Sequence, residues 1–359
     1  MRLPTARLQP GLLSPSPVMA YNTHHFRGTP YDAGHAVGRL AKAHLGEFSD
    51  RLIETWPARD GVIDQTKLRQ GVMPWVERLP ERYRQELCGL AEGSGVPLET
   101  VARGYFAEEC CCSSFITMLD DAHAWVGRNN DAWAPQLWHG VTVHEIDGRL
   151  ARIGFGIEAE TFTTTGINRD RLWLHCNGGP ALDAPSGTKP CFYPYIVVTE
   201  ALETCSTFAD VESLLGRWER TRGMILFVVD GKSEESAILE CQCCEHRRRP
   251  IPHGPLIAAN HSDRAELQEN TRGNNPEHGL ERSVSRCIRM EELLSALPED
   301  TDARALQHVL AAEGVEQRYP DRVTVFSTVA CPTTGEMWFA CGDGPAASAG
   351  TWSRVPWPW

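Results

Sequence analysis

"CSSFITMLDDAHAWVGRNND", residues 112–131, alternates apolar with small or polar side chains, breaks at Leu119, Asp120 and Asp121, and then resumes the alternation. Two such runs around a short acidic break predict a β-hairpin, "CSSFITM" against "AHAWVGRN". Upstream the period is longer. "YDAGHAVGRLAKAHLGEFSDRLIETW" follows a Thr29-Pro30 start signal, and "LPERYRQELCGLAEGSGVPLETVARGYF" reads as helix, Gly-rich turn, helix. The period therefore changes at Cys112, the last of three adjacent cysteines, Cys110, Cys111 and Cys112. Taken alone, three adjacent cysteines read as small buried residues opening a strand.

Beyond the hairpin, "GVTVHEI" and "RLARIGFGI" predict a second pair of strands, and "GMILFVVDG" with "ESAILECQC" a buried pair. A helix is expected from the Thr207 and Asp210 capping pair, with Val211, Leu214, Leu215 and Trp218 on one face. Another is expected over "SVSRCIRMEELLSAL", with Cys287, Met290, Leu294 and Leu297 as its apolar stripe and Arg286 and Arg289 together on a different face. "RVTVFSTVACP" and "GEMWFACGDGP" close the chain as a hairpin around "PTTG". Helices first, then strands, helices and strands make an α+β layered pattern, not a regular βαβ alternation.

Composition narrows the function. The 359 residues are 42% hydrophobic with a net charge of −12, which disfavours broad capture of nucleic acid or of an anionic membrane and suits a small ligand or an acyl substrate. No apolar run reaches the roughly 18 residues of a membrane span. Residues 1–22 carry four prolines and no continuous apolar core, and read as a loose leader, not a signal peptide. Thirteen cysteines, an odd number with neighbours in sequence, indicate a reduced, cytoplasmic protein. No P-loop, GxGxxG or GxSxG motif is present.

"CSSF" followed by "GRNND" resembles the N-terminal nucleophile cysteine hydrolases, in both the isopenicillin N acyltransferase (peptidase C45) and choloylglycine hydrolase branches. Upstream, "GTPYDAGHAVGRL" and "LAEGSGVPLE" are similar to the acyltransferase branch's proregion. The resemblance implies a four-layer αββα sandwich. It also implies self-cleavage between Cys111 and Cys112, making a helical prosegment of residues 1–111 that stays bound to a catalytic chain of residues 112–359 as one structural unit. Cys112 would then be the nucleophile and its own α-amine the base, which suits a group titrating near ~8 better than a lysine near ~10.4. By the same resemblance Asp131 holds the amine, Arg128 sits beside the thiol, Asn177 and Asn260 stabilise the oxyanion, and Arg286 binds substrate. The place before the nucleophile, often Gly in the family, is Cys111, and Asn130 stands where Trp or Leu is usual.

The implied reaction is cleavage or transfer of an acyl group of a linear amide or thioester, in secondary metabolism, without a resident cofactor. Acyl-coenzyme A is a candidate co-substrate, the two cleavage fragments are each other's partners, and a homo-oligomer is compatible with the sequence. Two competing readings are a non-catalytic binding or assembly protein on the same fold, and a Cys/His metal site at "CQCCEH" (Cys241, Cys243, Cys244, His246). "RRRP", Arg247 to Pro250, reads as a solvated turn that can also draw the phosphates of acyl-coenzyme A. The charged stretch after "HSD" reads as a loop or a lid.

Overall fold

A computed structural model of the chain describes residues 21–43, 45, 65–107, 111–119, 123–132, 137–157, 160–249, 254–268, 279–298, 300–319, 322–342 and 344–359. The leader at 1–20, the later part of the first helical stretch, Cys110 and residues 269–278 of the charged segment lie outside them.

Before Cys112 come strand β1 (Asn22–Gly28) and helices α1 (Pro30–Ala41), α2 (Gln65–Arg78), α3 (Glu81–Ser94) and α4 (Leu98–Ala107). Helix α1 begins at the expected signal: Thr29 Oγ1 accepts the Asp32 N–H and the Asp32 carboxylate accepts the Thr29 N–H. Helix α3 ends at Gly95, whose φ of +73° lets its N–H reach back to Ala91 O. The two helices touch backbone to backbone. A Cβ at Gly34 would lie 2.0 Å from Glu86 O, and one at Gly89 would lie 2.2 Å from Tyr31 O, so only glycine permits this approach.

The upstream segment is not purely helical, as its period suggests. β1 pairs in parallel with β4 (Gly140–Ile146), Asn22 opposite Gly140 and Gly28 opposite Ile146. Only Phe26 of β1 is buried, so "NTHHFRG" lacks the alternation that marks a half-buried strand.

After β1 the strands are β2 (Cys111–Met118), β3 (Ala124–Ala132), β4, β5 (Arg152–Gly156), β6 (Thr165–Asn168) and β7 (Leu172–Gly178). There follow β8 (Cys191–Phe192), α5 (Pro194–Thr204), α6 (Phe208–Arg217), β9 (Glu219–Arg220), β10 (Met224–Asp230), β11 (Ser236–Cys241), β12 (His246–Arg248) and β13 (Leu256–Ala258). The chain ends with α7 (Leu280–Ser295), α8 (Ala303–Ala311), β14 (Arg318–Tyr319), β15 (Arg322–Cys331), β16 (Glu336–Cys341), α9 (Ala346–Ala349) and β17 (Thr351–Val355).

An eight-stranded sheet runs β1-β4-β5-β6-β7-β10-β11-β12, and a seven-stranded sheet runs β13-β2-β3-β15-β16-β17 with β14 on β15. Alternate residues define the layers. Leu172 and Leu174 of β7 pack with Tyr83, Ile196 and Leu215 of the first helical layer. Trp173 turns the other way, to Phe155 and Phe227 of its own sheet and to Phe326 and Phe339 of the second. From the second sheet Phe115, Trp125 and Val329 meet Met290, Leu294 and Leu306 of the last helical layer. Helices, sheet, sheet and helices make the αββα sandwich, with three apolar seams between four layers.

Helices α5 and α8 carry no sequence signal that the pattern reading used. In α5, "PYIVVTEALET", burial extends nearly all round, so no polar face marks the helical period. Among the described residues no helix is long and apolar enough to cross a membrane.

Candidate active site

Strands β2 and β3 are antiparallel, with Cys112 opposite Asn130 and Ser114 opposite Arg128. Opposite residues share a face, and Ile116 and Val126 fix which one it is by packing between the sheets. Cys112, Ser114, Arg128 and Asn130 thus face the space between the sheets, all fully buried. Phe115 on the other face lies over Gly127, where a Cβ would be 2.2 Å from the ring.

The Arg128 guanidinium is spread over three groups. Nη1 donates to Thr164 O at 3.1 Å, and Nη2 donates to Asn130 Oδ1 at 2.8 Å and to Cys112 Sγ at 3.1 Å. Cys112 Sγ in turn donates to Asn130 Oδ1 at 3.4 Å. A buried guanidinium against sulfur favours negative charge on it.

Strand β13 brings Asn260 to the same strand end. Its register on β2 sets Ala258 opposite Ser114, and Asn260 continues that line to Cys112. Asn260 Oδ1 accepts the Cys112 backbone N–H at 3.1 Å and Arg286 Nη2 at 2.9 Å, while its Nδ2 donates to Gly178 O at 2.9 Å. Ser283 Oγ accepts the Asn260 N–H at 2.8 Å and meets His261 Nδ1 at 2.7 Å. Burial, with Arg249 and Arg286 nearby, pushes the His261 pKa down to about 4 against the pull of Glu240.

Asn177, at the end of β7, ties the two sheets. Its Oδ1 accepts from Ser114 Oγ at 3.2 Å, and its Nδ2 donates to Ala258 O at 3.2 Å and Ala259 O at 3.1 Å.

Asp131 faces the helical layer on the far side of the second sheet. Oδ2 accepts from Arg286 Nη1 at 3.1 Å and Oδ1 from Thr324 Oγ1 at 2.7 Å. The register of β15 on β3 shifts between Thr324 and Phe326, a bulge that keeps Thr324 opposite Asp131. Burial raises the Asp131 carboxyl above its ordinary value, outweighing the opposing pull of Arg286 and Thr324. Arg286 is buried against this site, whereas Arg289 is exposed and bonds Glu292. The two arginines therefore do not share a solvent face, because the end of the sheet covers only the first.

The structure thus gathers Cys112, Arg128, Asp131, Asn177, Asn260 and Arg286 around one strand end. Asn260 offers its oxygen, not its amide, to Cys112, and Asn177 spends its amide on backbone carbonyls. Pattern reading did not find Ser283 or Thr324. Neither belongs to a motif, and each reaches the site only through tertiary pairing.

Other candidates do not compete for the chemistry. Burial lifts the nearby Cys176 thiol to about 12, against the pull of Arg128. Burial holds His175 well below its usual range, and its Nδ1 takes the Trp173 Nε1–H at 2.9 Å. Among the described residues no three His, Cys, Asp or Glu side chains are grouped to hold a metal, and the Cys243 and Cys244 N–H groups donate to Asp183. The "RRRP" arginines answer carboxylates: Arg247 pairs with Asp263, Arg248 with Glu212 and Glu235, and Arg249 with Glu240. A cavity of about 310 Å³ opens beside Arg286, lined also by Arg282, Glu313, Gln317, Arg318 and Tyr319.

The acyl-coenzyme A:6-aminopenicillanic acid acyl-transferase family matches residues 118–342, well over half of the chain. The chain belongs to that family. Arg128, Asp131, Asn177, Asn260 and Arg286 lie within the matched residues, and Cys112 stands just before them. No curated protein matches the chain in sequence. Among solved structures, a variant of conjugated bile acid hydrolase from Clostridium perfringens is similar with a TM-score of 0.50 at 11% identity, covering 68% of this chain and 97% of that one. Penicillin V acylase from Agrobacterium tumefaciens gives a TM-score of 0.46 at 14% identity, covering 68% of this chain and 91% of that one. The fold is that of the N-terminal nucleophile hydrolases, and the family is that of an acyl-transferase.

Proposed function

We propose that the protein is a cysteine N-terminal nucleophile enzyme that cuts itself between Cys111 and Cys112 and then cleaves or transfers the acyl group of a small-molecule amide or thioester. The observation that carries this reading is the contact of Arg128 Nη2 with Cys112 Sγ at 3.1 Å in a fully buried setting. Asn260, which holds the Cys112 nitrogen from the other side, supports it.

In self-cleavage, Cys112 Sγ attacks the Cys111 carbonyl carbon. A C–S bond forms, the C–N bond breaks, and the thiol proton passes to the leaving nitrogen. Water then hydrolyses the thioester, freeing the thiol and leaving a carboxylate on Cys111. In the acyl-transfer reaction the new α-amine takes the thiol proton, the thiolate attacks the substrate carbonyl, and the tetrahedral oxyanion collapses to a thioester. The α-ammonium returns its proton to the leaving amine. Water as acceptor completes hydrolysis and an amine as acceptor makes the reaction a transfer; with acyl-coenzyme A as donor, the coenzyme A thiol leaves with the proton in place of the amine.

What the 1–111 piece contributes supports its retention. β1 is an edge strand of the eight-stranded sheet, and Arg82 of α3 forms an ion pair with Glu203 of α5 across the fragments, with Glu86 at 3.7 Å and Glu200 at 3.5 Å.

The test is intact mass of the purified protein, before and after incubation with N-acyl amino acids and acyl-coenzyme A donors. Two co-eluting fragments split before Cys112, and an acyl adduct on Cys112, are expected. Cys112→Ala should stay whole and inactive. A wild-type chain that neither splits nor reacts with iodoacetamide at Cys112 would sink the mechanism and favour a non-catalytic binding protein.

A further inference from the structure

Asn130 is fully buried opposite Cys112, in the place where the resemblance leads one to expect an apolar side chain. Its oxygen is doubly used, accepting from Arg128 Nη2 at 2.8 Å and from Cys112 Sγ at 3.4 Å. Its Nδ2 is buried with no hydrogen-bond partner among the described residues. The orientation of the amide follows from chemistry: turned over, it would set an NH₂ against the guanidinium, donor against donor. An unpartnered buried amide donor costs about 1–3 kcal/mol, so a residue there without a ligand is a poor choice for packing alone.

The asparagines named for the oxyanion are differently occupied. Asn177 Nδ2 donates to two backbone carbonyls, and Asn260 Nδ2 to a third. The unspent amide donor beside the sulfur belongs to Asn130. We propose that Asn130 is a further catalytic residue: its oxygen holds Arg128 against the thiol, and its Nδ2–H donates to the oxyanion that forms when Cys112 attacks an acyl carbonyl. The inference rests on Cys112 as the nucleophile. A preorganised donor aimed at a developing oxyanion in a water-poor site contributes on the order of 10²–10³ in rate.

Two reactions of one sulfur separate this role from mere positioning. Acylation by p-nitrophenyl octanoate forms a C–S bond, passes through an oxyanion and expels p-nitrophenolate. Alkylation by iodoacetamide forms a C–S bond with loss of iodide and builds no oxyanion. Both are read at Cys112 by peptide mass spectrometry on the self-cleaved protein, and the ratio of the two rates cancels the thiolate population. Asn130→Asp keeps an oxygen for Arg128 and removes the donor, and Asn130→Leu removes both. The acylation-to-alkylation ratio is expected to fall about 100-fold in each. A variant that stays uncut at an unchanged melting temperature also supports the role, because self-cleavage builds the same oxyanion on Cys111. A ratio within about threefold of wild type in a folded variant overturns it, as does an equal fall in both rates. If wild-type Cys112 alkylates but is never acylated, the nucleophile reading itself fails, and the inference falls with it.

Discussion

The Asn260 side-chain oxygen accepts the backbone N–H of Cys112 at 3.1 Å. That nitrogen is the leaving group of the proposed self-cleavage and the base of the proposed acyl transfer, so one hydrogen bond serves both stages. Replacing Asn260 by Ala removes it and leaves Arg286 Nη2 without its 2.9 Å acceptor. Self-cleavage is expected to slow by about 10–100-fold, followed by intact mass over time. A rate equal to wild type would show that the bond does not hold the scissile nitrogen.

Arg286→Met strands Asp131 with Thr324 as its remaining hydrogen-bond partner of the two described above. Removing one member of a buried pair costs about 3–5 kcal/mol. Asp131 is already raised above its ordinary value by burial, and losing Arg286 raises it further. A raised carboxyl contributes stability that is full below its unfolded pKa and is lost as pH rises. Urea midpoints should therefore fall more at about pH 8 than at about pH 5.

The pH dependence of His261 runs the other way. Its pKa falls from 6.5 to about 4 on folding, so its stabilising share is full above 6.5 and is lost as pH falls toward about 4. The shift corresponds to roughly 3 kcal/mol. Denaturant titrations across that window should show the decline in wild type and a flatter profile in His261→Gln. Equal slopes in the two would remove His261 as its cause.

Helix contact gives a prediction far from the chemistry. Gly89→Ala places a Cβ 2.2 Å from Tyr31 O, where backbone must move, and should cost about 2–3 kcal/mol. Gly95→Ala meets nothing within 4 Å and carries only the strain of φ +73°, about 1 kcal/mol. Thermal melts that rank the two variants in the opposite order would contradict the packing.

Local chemistry in the sequence was enough for the hairpin at 112–131, the capped starts at Thr29 and Thr207, and the change of period at Cys112. These depend on neighbours in the chain, on side-chain alternation and on capping groups a few residues apart. Arg128 and Asp131 were legible only through the resemblance of "GRNND" to a family motif, and the strand sets Arg128 on the face of Cys112 and Asp131 on the other. The strand β1 and the helix α5 were not legible, because one has a single buried residue and the other is buried nearly all round.

By itself, then, the sequence determined where the strongly patterned strands and helices lie and which of their faces are apolar, and its resemblance to a family named the candidates for the chemistry. Only the tertiary structure decided how those candidates divide the work. Asn260 meets Cys112 through the register of β13 on β2, Arg286 reaches Asp131 because α7 lies over the sheet, and Asn177 is occupied by the carbonyls of Ala258 and Ala259. Asn130, which departs from the family's usual residue in the motif, keeps an unspent donor beside the sulfur. Such assignments depend on hydrogen-bond partners far apart in the chain, and no local pattern encodes which donor will already be satisfied.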